Sequence, residues 1–456
     1  MRTLILDTIH GGQVIADYLS ELGNTVDTVD VYRDDGTHTI KEAQVGLSQG
    51  KYELIIHPVH LTAKHPLLQT ARQHNVCTKT HHETVAWILS EWGKNGLFIR
   101  PRRMIEITGA RGKTTTAYAL AACLSQSGPG ILHSSAGIFV CAYPVGSKKE
   151  KVGHLSITPA SVLTVARKYW QHGMTWMICE ESLGVTGYHD CAILTSDRDY
   201  ECAAGTESAL KIKQASLINS PCALIPCETI QSEKWTEIQK NMIPVQTIVQ
   251  VSGEFAEYHY NAWDGICTNP LFYLSQYREP LILATAASVI LGVEPRGINT
   301  FKPVPGRLSL KMIHERYVLD DANSGTTEIT AIEAARYLRR MAHSPDIILC
   351  IGQDAHAVCE NFTEDNIITA LKTIKPIHTI LVASGLSKPE LVTAYLKKHN
   401  CSYNVVSSLD EAQELITCTD KQEKNKPDKH DGRVKTPFAP DIAQNIPALL
   451  AVKTWR

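Results

Sequence analysis

The run Thr108-Gly-Ala-Arg-Gly-Lys-Thr-Thr115 has the residue types and spacing to hold a nucleotide triphosphate. Gly109 and Gly112 let the backbone turn tightly, so that the N–H groups of Ala110 and Arg111 and the N-terminus of a following helix face a phosphate chain. Lys113 adds a cation, Thr114 a magnesium-ligating hydroxyl, and Thr115 carries the loop into the helix. The common G-x-x-x-x-G-K-[ST] pattern needs glycine at position 107, where Ile107 stands, so this is a shorter T-G-x-x-G-K-T-T form. A glycine turn between strand and helix is common by itself. The Lys-Thr-Thr behind it and the apolar strand before it make it a phosphate loop, with ATP and Mg2+ as ligands.

A second signal is Trp176-Met-Ile-Cys-Glu-Glu-Ser182, an apolar strand that ends in two carboxylates and a hydroxyl. In open α/β sheets ligands sit beyond the carboxyl ends of strands, where a carboxylate beside a phosphate loop holds magnesium. Adjacent strand residues point to opposite faces, so only one of Glu180 and Glu181 faces the loop and would hold the metal together with Thr114. A helix over residues 209–215 carries Lys211 and Lys213. Near the N-terminus, His10, His57, His60, His81 and His82 follow apparent strands, with Gly11 and Gly12 in the first turn. Singly, each histidine reads as an ordinary polar loop residue. No spacing among them sets three zinc ligands on one face.

These groups require a scaffold of alternating strands and helices. Residues 1–100 read as strand Thr3–Leu6, helix Val14–Leu22, strand Thr25–Val31, strand Tyr52–Ile56, helix Pro66–His74, strand Val76–Lys79 and a helix near Glu83–Trp92. Such order predicts a parallel sheet with covering helices. Arg100-Pro-Arg-Arg103 is a plausible solvated hinge, because proline interrupts regular structure. The phosphate-loop domain then spans 101–305, with strands Trp176–Cys179, Cys191–Leu194 and Ala223–Ile225 and an apolar helix Ile282–Leu291. After the linker Lys302–Arg307, residues 306–456 again alternate: Tyr317–Leu319, Glu328–Met341, Ile347–Ile351, Asn366–Thr373 and Thr379–Val382. The charged run Asp420–Arg433 reads as a mobile loop.

A chain of 456 residues has room for about three domains. Its net charge of −2 carries no electrostatic footprint for nucleic acid or an anionic membrane. Leu281–Val293 falls short of the ~18 apolar residues of a membrane span, and Met1–Asp7 is not a signal peptide, so a cytoplasmic protein is expected. The 13 cysteines show no C-x-x-C pair and read as free thiols.

Taken together, these residues resemble the Mur ligases, ATP-dependent enzymes that activate a carboxylate as an acyl phosphate. The phosphate loop resembles theirs, and Cys179-Glu-Glu-Ser182 resembles their strand-end Glu-x-Ser. Lys213 falls near their carbamylated lysine, with Lys211 the alternative. Pro305-Gly-Arg307 matches their entry into a third domain, and Asp320-Asp-Ala-Asn-Ser-Gly325 takes the slot of a nucleotide-contacting loop. The resemblance implies an α/β, three-domain architecture: an N-terminal Rossmann-like domain, a central P-loop ATPase domain and a C-terminal Rossmann-like domain. It also implies catalytic roles for Lys113, Glu180 and Lys213, and nucleotide contacts from Arg307, Asp320, Asp321 and Asn323. No histidine follows Thr195, where the family places a metal ligand, which suggests an acceptor other than an amino acid. The N-terminal histidines and the closing Val452–Arg456 look like the methanogen branch, whose substrate is a nickel seco-tetrapyrrole. There a propionate is phosphorylated and a ring carbon attacks it. On that resemblance His10, Gly11, Gly12, His57, His60, His81 and His82 would bind the tetrapyrrole. An amide-forming ligase acting on an amino acid, and a nucleotide-gated nickel or tetrapyrrole-binding protein, are the alternatives.

Overall fold

Along the first strand, Arg2–Leu6, Leu4 and Leu6 enter one apolar cluster while Ile5 enters another, as period-two alternation requires. Leu54 and Ile56 likewise face away from Ile55 on the neighbouring strand Leu54–His57. The sheet therefore has two buried faces and needs helices on both. The computed structural model describes residues 1–33, 35–142, 149–203, 205–226, 241–304, 306–313, 316–323, 325–354, 362–417 and 446–454. They form two compact units, Met1–Phe301 and Lys302–Arg456.

The first unit holds two large sheets. A five-stranded sheet runs Asp35–Gly36, Thr25–Asp30, Arg2–Leu6, Leu54–His57, Cys77–Thr80, parallel except for its two-residue edge. An eight-stranded sheet runs Met242–Pro244, Ala223–Ile225, Cys191–Leu194, Arg103–Thr108, Trp176–Glu180, Gly130–Ser134, Gly137–Cys141, Lys149–Gly153, antiparallel at its last two strands. One apolar cluster joins them, with Ile15, Val85 and Trp92 from the first and Met104, Ile131 and Met177 from the second. A shared core of this kind resists hinging. Accordingly Arg100 pairs with Asp190 at 2.9 Å, and Arg103 opens the central strand, 7% exposed, with its Nε donating to Leu291 O at 2.8 Å. The expected solvated hinge is pinned at Arg100 and Arg103, while Arg102 is exposed.

The helix expected near Glu83 begins earlier, at His81, because Thr80 and Glu83 form a reciprocal capping box. His81 and His82 thus occupy a first helical turn, not a loop. The apolar helix expected from Ile282 spans Ser275–Ile290 and packs on the helix Lys113–Leu124 behind the phosphate loop. The second unit is a six-stranded sheet in the order Ser309–Ile313, Arg316–Asp320, Ala448–Lys453, Ile348–Gln353, His378–Val382, Tyr403–Val406. Its third strand, Ala448–Lys453, comes last in the chain yet lies inside the sheet and is buried throughout. The expected loop Asp420–Arg433 lies outside the described residues, as do Pro305, Ser324 and the closing Trp455-Arg456. Among the described residues no helix is long and apolar enough to cross a membrane, and the described cysteines are free.

Candidate nucleotide and substrate site

The strand Arg103–Thr108 is buried along its length between Trp176–Glu180 and Cys191–Leu194, so its carboxyl end opens among the ends of its neighbours. Gly109 and Gly112 take φ of 142° and 81°, and a Cβ on Gly109 would lie 2.2 Å from Thr195 Oγ1. Only glycine fits there. Thr195 Oγ1 donates to Arg111 O at 2.5 Å, and Ser196 Oγ accepts from the N–H groups of Ala110 and Arg111 at 3.0 and 3.3 Å. Two residues ending the neighbouring strand thereby shape the loop. The helix Lys113–Leu124 starts without a side-chain cap, which leaves first-turn N–H groups for another acceptor. Thr115 is buried behind the loop. Thr108 is also buried, and its hydroxyl accepts the Gly184 N–H at 3.1 Å.

Glu180 ends its strand pointing at the loop. Its carboxylate accepts from Thr114 Oγ1 at 3.0 and 3.3 Å and from the Ser135 N–H at 3.1 Å, and lies 4.0 Å from Lys113 Nζ. Thr114 Oγ1 and Ser135 Oγ are 3.0 Å apart. A carboxylate and two hydroxyls, all hard oxygen donors, fit the preference of Mg2+. Ser135 was not expected from the sequence; the signal was an apolar strand, Gly130–Ser134, running into Ser134-Ser135. Lys113 Nζ also donates to Gly109 O at 3.0 Å.

Lys213 is fully buried on the helix Ala209–Leu217, whereas Lys211 is exposed. Its Nζ donates to Tyr200 Oη at 3.2 Å and lies 4.4 Å from the centre of that ring. Burial, then the nearby charge of Lys113, push its ammonium down to about 7. Near neutral pH much of it is an uncharged amine.

His10, His60, His81 and His82 line one cavity of about 270 Å³, with Thr158, Ser182 and Cys202 among the residues opposite. Such a volume lies just under the roughly 300–1,000 Å³ of ligand pockets. Gly11, at φ 102°, lies against the central domain, where a Cβ would come within 2.6 Å of Ala160 Cβ. A Cβ on Gly12 would strike Asp7 O. Both glycines are explained by close packing. His57 does not line the cavity; its Nδ1 meets Pro58 O at 3.0 Å. Burial lowers His81 to about 3 and His82 to about 4, so both rings are neutral. His81 Nε2 lies 3.2 Å from Leu6 O, while both nitrogens of His82 lack a hydrogen-bond partner among the described residues.

Behind His82 stands Glu181, its Oε2 3.9 Å from His82 Nε2. The two carboxylates at the strand end thus part to opposite faces, as alternation predicts. Burial, and then the charge of Glu106, raise Glu181 well above the usual carboxylate range. Burial would raise Glu106 too, but His189 at 2.8 Å and the donors of Thr186 bring it below its ordinary value. The two buried carboxylates are thus pushed in opposite directions.

In the C-terminal unit, Asp320 ends the strand Arg316–Asp320, and Asp321 N donates to Leu450 O at 2.8 Å. Asn323 Nδ2 donates to Gly306 O and Asp321 O at 2.9 and 3.1 Å. Burial raises Asp321 well above the carboxylate range. Asp321 and Asn323 therefore hold their own loop together, and Arg307 lies beside Asp321.

Residues 310–425 match the family described as Coenzyme F430 synthetase CfbE, C-terminal domain. The chain is 29% identical to the coenzyme F(430) synthetase of Methanosarcina acetivorans, covering 92% of this chain and 97% of that one. Among solved structures, a bifunctional folylpolyglutamate synthase/dihydrofolate synthase from Yersinia pestis shares 14% identity at a TM-score of 0.51, covering 82% of this chain and 92% of its own. MurF from Acinetobacter baumannii shares 15% at 0.50, covering 75% of each chain. These two likenesses show the fold, a Mur-ligase-like α/β architecture.

Proposed function

From a chain that resembles coenzyme F(430) synthetase over nearly its whole length and has the Mur-ligase fold, we propose an ATP-dependent ligase that closes a carbocyclic ring on a nickel seco-tetrapyrrole. A propionate carboxylate attacks the γ-phosphorus of ATP and ADP leaves. A ring carbon then attacks the acyl carbon of the resulting acyl phosphate; inorganic phosphate departs with the bonding electron pair and the carbon loses its proton. The supporting observation is the continuity of the two sites: Glu180 faces the phosphate loop, Glu181 backs His82, and Ser182 lines the histidine cavity. Three successive residues thus join the place for phosphate to the place for a carboxylate-bearing ligand.

Lys113 and the loop amides hold the β- and γ-phosphates and stabilise charge as it shifts. Thr114, Ser135 and Glu180 would hold Mg2+, which screens the triphosphate when bound. Lys213, partly an uncharged amine near neutral pH and close to Lys113, suits either proton transfer or the carbamate that the Mur resemblance implies. The attacking carbon is tethered to the same molecule, so no second acceptor pocket is required.

The test is phosphate release from ATP and Mg2+ with and without the nickel seco-tetrapyrrole, following the macrocycle's visible spectrum. Release stoichiometric with a spectral change and loss of one water mass is expected. An inert tetrapyrrole, with release stimulated by an amino acid, would make the protein an amide ligase.

A further inference from the structure

Asp7 follows the first strand in a backbone conformation, φ 78°, that costs a non-glycine residue energy. It is fully buried, and its carboxylate is committed on both oxygens. Oδ1 accepts from the N–H groups of Ile9 and His10 at 2.9 and 3.1 Å, and Oδ2 meets His10 Nδ1 at 2.7 Å. A carboxylate against Nδ1 makes that nitrogen the N–H, so the lone pair is on Nε2. The His10 side chain is 47% exposed at the cavity wall, and Nε2 is the ring nitrogen that Asp7 does not engage.

His60 completes a cluster in which one ligand atom each from Asp7, His10 and His60 lies within 4.8 Å of the others. Its position differs from that of His10. His60 Nε2 is turned towards Asp7 Oδ2 at 4.0 Å, and its ring is stacked on Tyr32 at 6.0 Å and met edge-on by His10 at 5.0 Å. His60 thus packs the ring that Asp7 orients. Strand ends far apart in sequence bring these three groups together, which no spacing in the chain shows.

A nickel ion inside a tetrapyrrole already has its equatorial nitrogens and lacks only axial donors, for which one oriented imidazole suffices. We infer that His10 Nε2 is the axial ligand to the nickel of the bound tetrapyrrole, with Asp7 the buried carboxylate that sets its tautomer and direction. This rests on the tetrapyrrole substrate proposed above and adds the atom that recognises it.

The test uses the full chain with the nickel seco-tetrapyrrole and no ATP, reading the visible spectrum and nickel X-ray absorption of the bound macrocycle. In the wild type an axial imidazole is expected. His10→Ala should remove it and weaken binding by at least about tenfold, with nucleotide binding kept as the sign of a folded protein. Added free imidazole should restore the wild-type spectrum in that variant. An axial imidazole retained in His10→Ala, or lost in His60→Ala while His10→Ala keeps it, would overturn the assignment. Binding of the macrocycle with no axial nitrogen in the wild type would overturn it too, leaving the ligase reading in place. Failure of the wild type to bind the macrocycle would remove both.

Discussion

Replacing Lys213 by methionine should stabilise the protein at pH 7 while removing its activity. The side chain is fully buried, and burial with the Lys113 charge takes its ammonium from 10.5 to about 7. The folded value lies below the unfolded one, so between these limits the unfolded chain binds the proton more firmly. The penalty is full at and below about pH 7 and fades as pH rises to 10.5. At about 1.4 kcal/mol per pH unit it amounts to roughly 4–5 kcal/mol. The bond to Tyr200 returns about 1 kcal/mol, leaving a net gain of about 3 kcal/mol for the apolar isostere. With an unfolding entropy of about 2.1 cal/mol/K per residue across Met1–Phe301, the gain is about 5 °C in melting temperature. Calorimetry of both proteins from pH 6 to 10 in CO2-free buffer is the assay. A gap near 5 °C at pH 7 that closes towards pH 10 is expected. A variant that melts below the wild type at pH 7, or a gap that ignores pH, would refute the buried-amine argument. Repeating the scan in bicarbonate should raise the wild type alone if the amine forms a carbamate.

Lys113→Ala should abolish phosphate release while tetrapyrrole binding, measured by titration calorimetry, stays unchanged; retained turnover would remove the phosphate-loop assignment. Glu180→Gln should lower phosphate release by about 10²–10³ and raise the Mg2+ needed for half-maximal rate, since the amide loses the charge beside Thr114 and Ser135. A variant with normal Mg2+ dependence would contradict that role. His81 and His82 are neutral in the fold, at about 3 and about 4, but protonate from about 6.5 when unfolded, so stability is full above 6.5 and falls as pH drops towards those values. His82→Leu should cut the loss of stability between pH 7 and 5 by about 2 kcal/mol, and an unaltered slope in denaturant melts would speak against it.

The phosphate loop was legible because its chemistry is local. Gly109, Gly112, Lys113 and Thr114 act through backbone turns and a helix start that a short segment sets for itself. The strand ending at Glu180 was legible too, since period-two alternation separates Glu180 from Glu181 wherever the strand lies. The helix that begins at His81, ahead of the apolar period, shows the limit of that logic. Thr80 and Glu83 form the capping box that starts this helix ahead of its apolar face.

What the tertiary structure decided is which distant groups meet. Ser135 reaches Glu180 through the pairing of Gly130–Ser134 with Trp176–Glu180, and no spacing in the chain encodes it. Asp7 and His60 approach because Arg2–Leu6 and Leu54–His57 are neighbours in one sheet. The choice of Lys213 over Lys211 as the buried amine follows from which side of a helix faces the core, and the strand Ala448–Lys453 enters its sheet between Arg316–Asp320 and Ile348–Gln353, both far before it in the chain. Residue type and local period give a segment its conformation and its chemical capacity. Charge, tautomer and proximity come from desolvation and from neighbours that only the packed chain supplies.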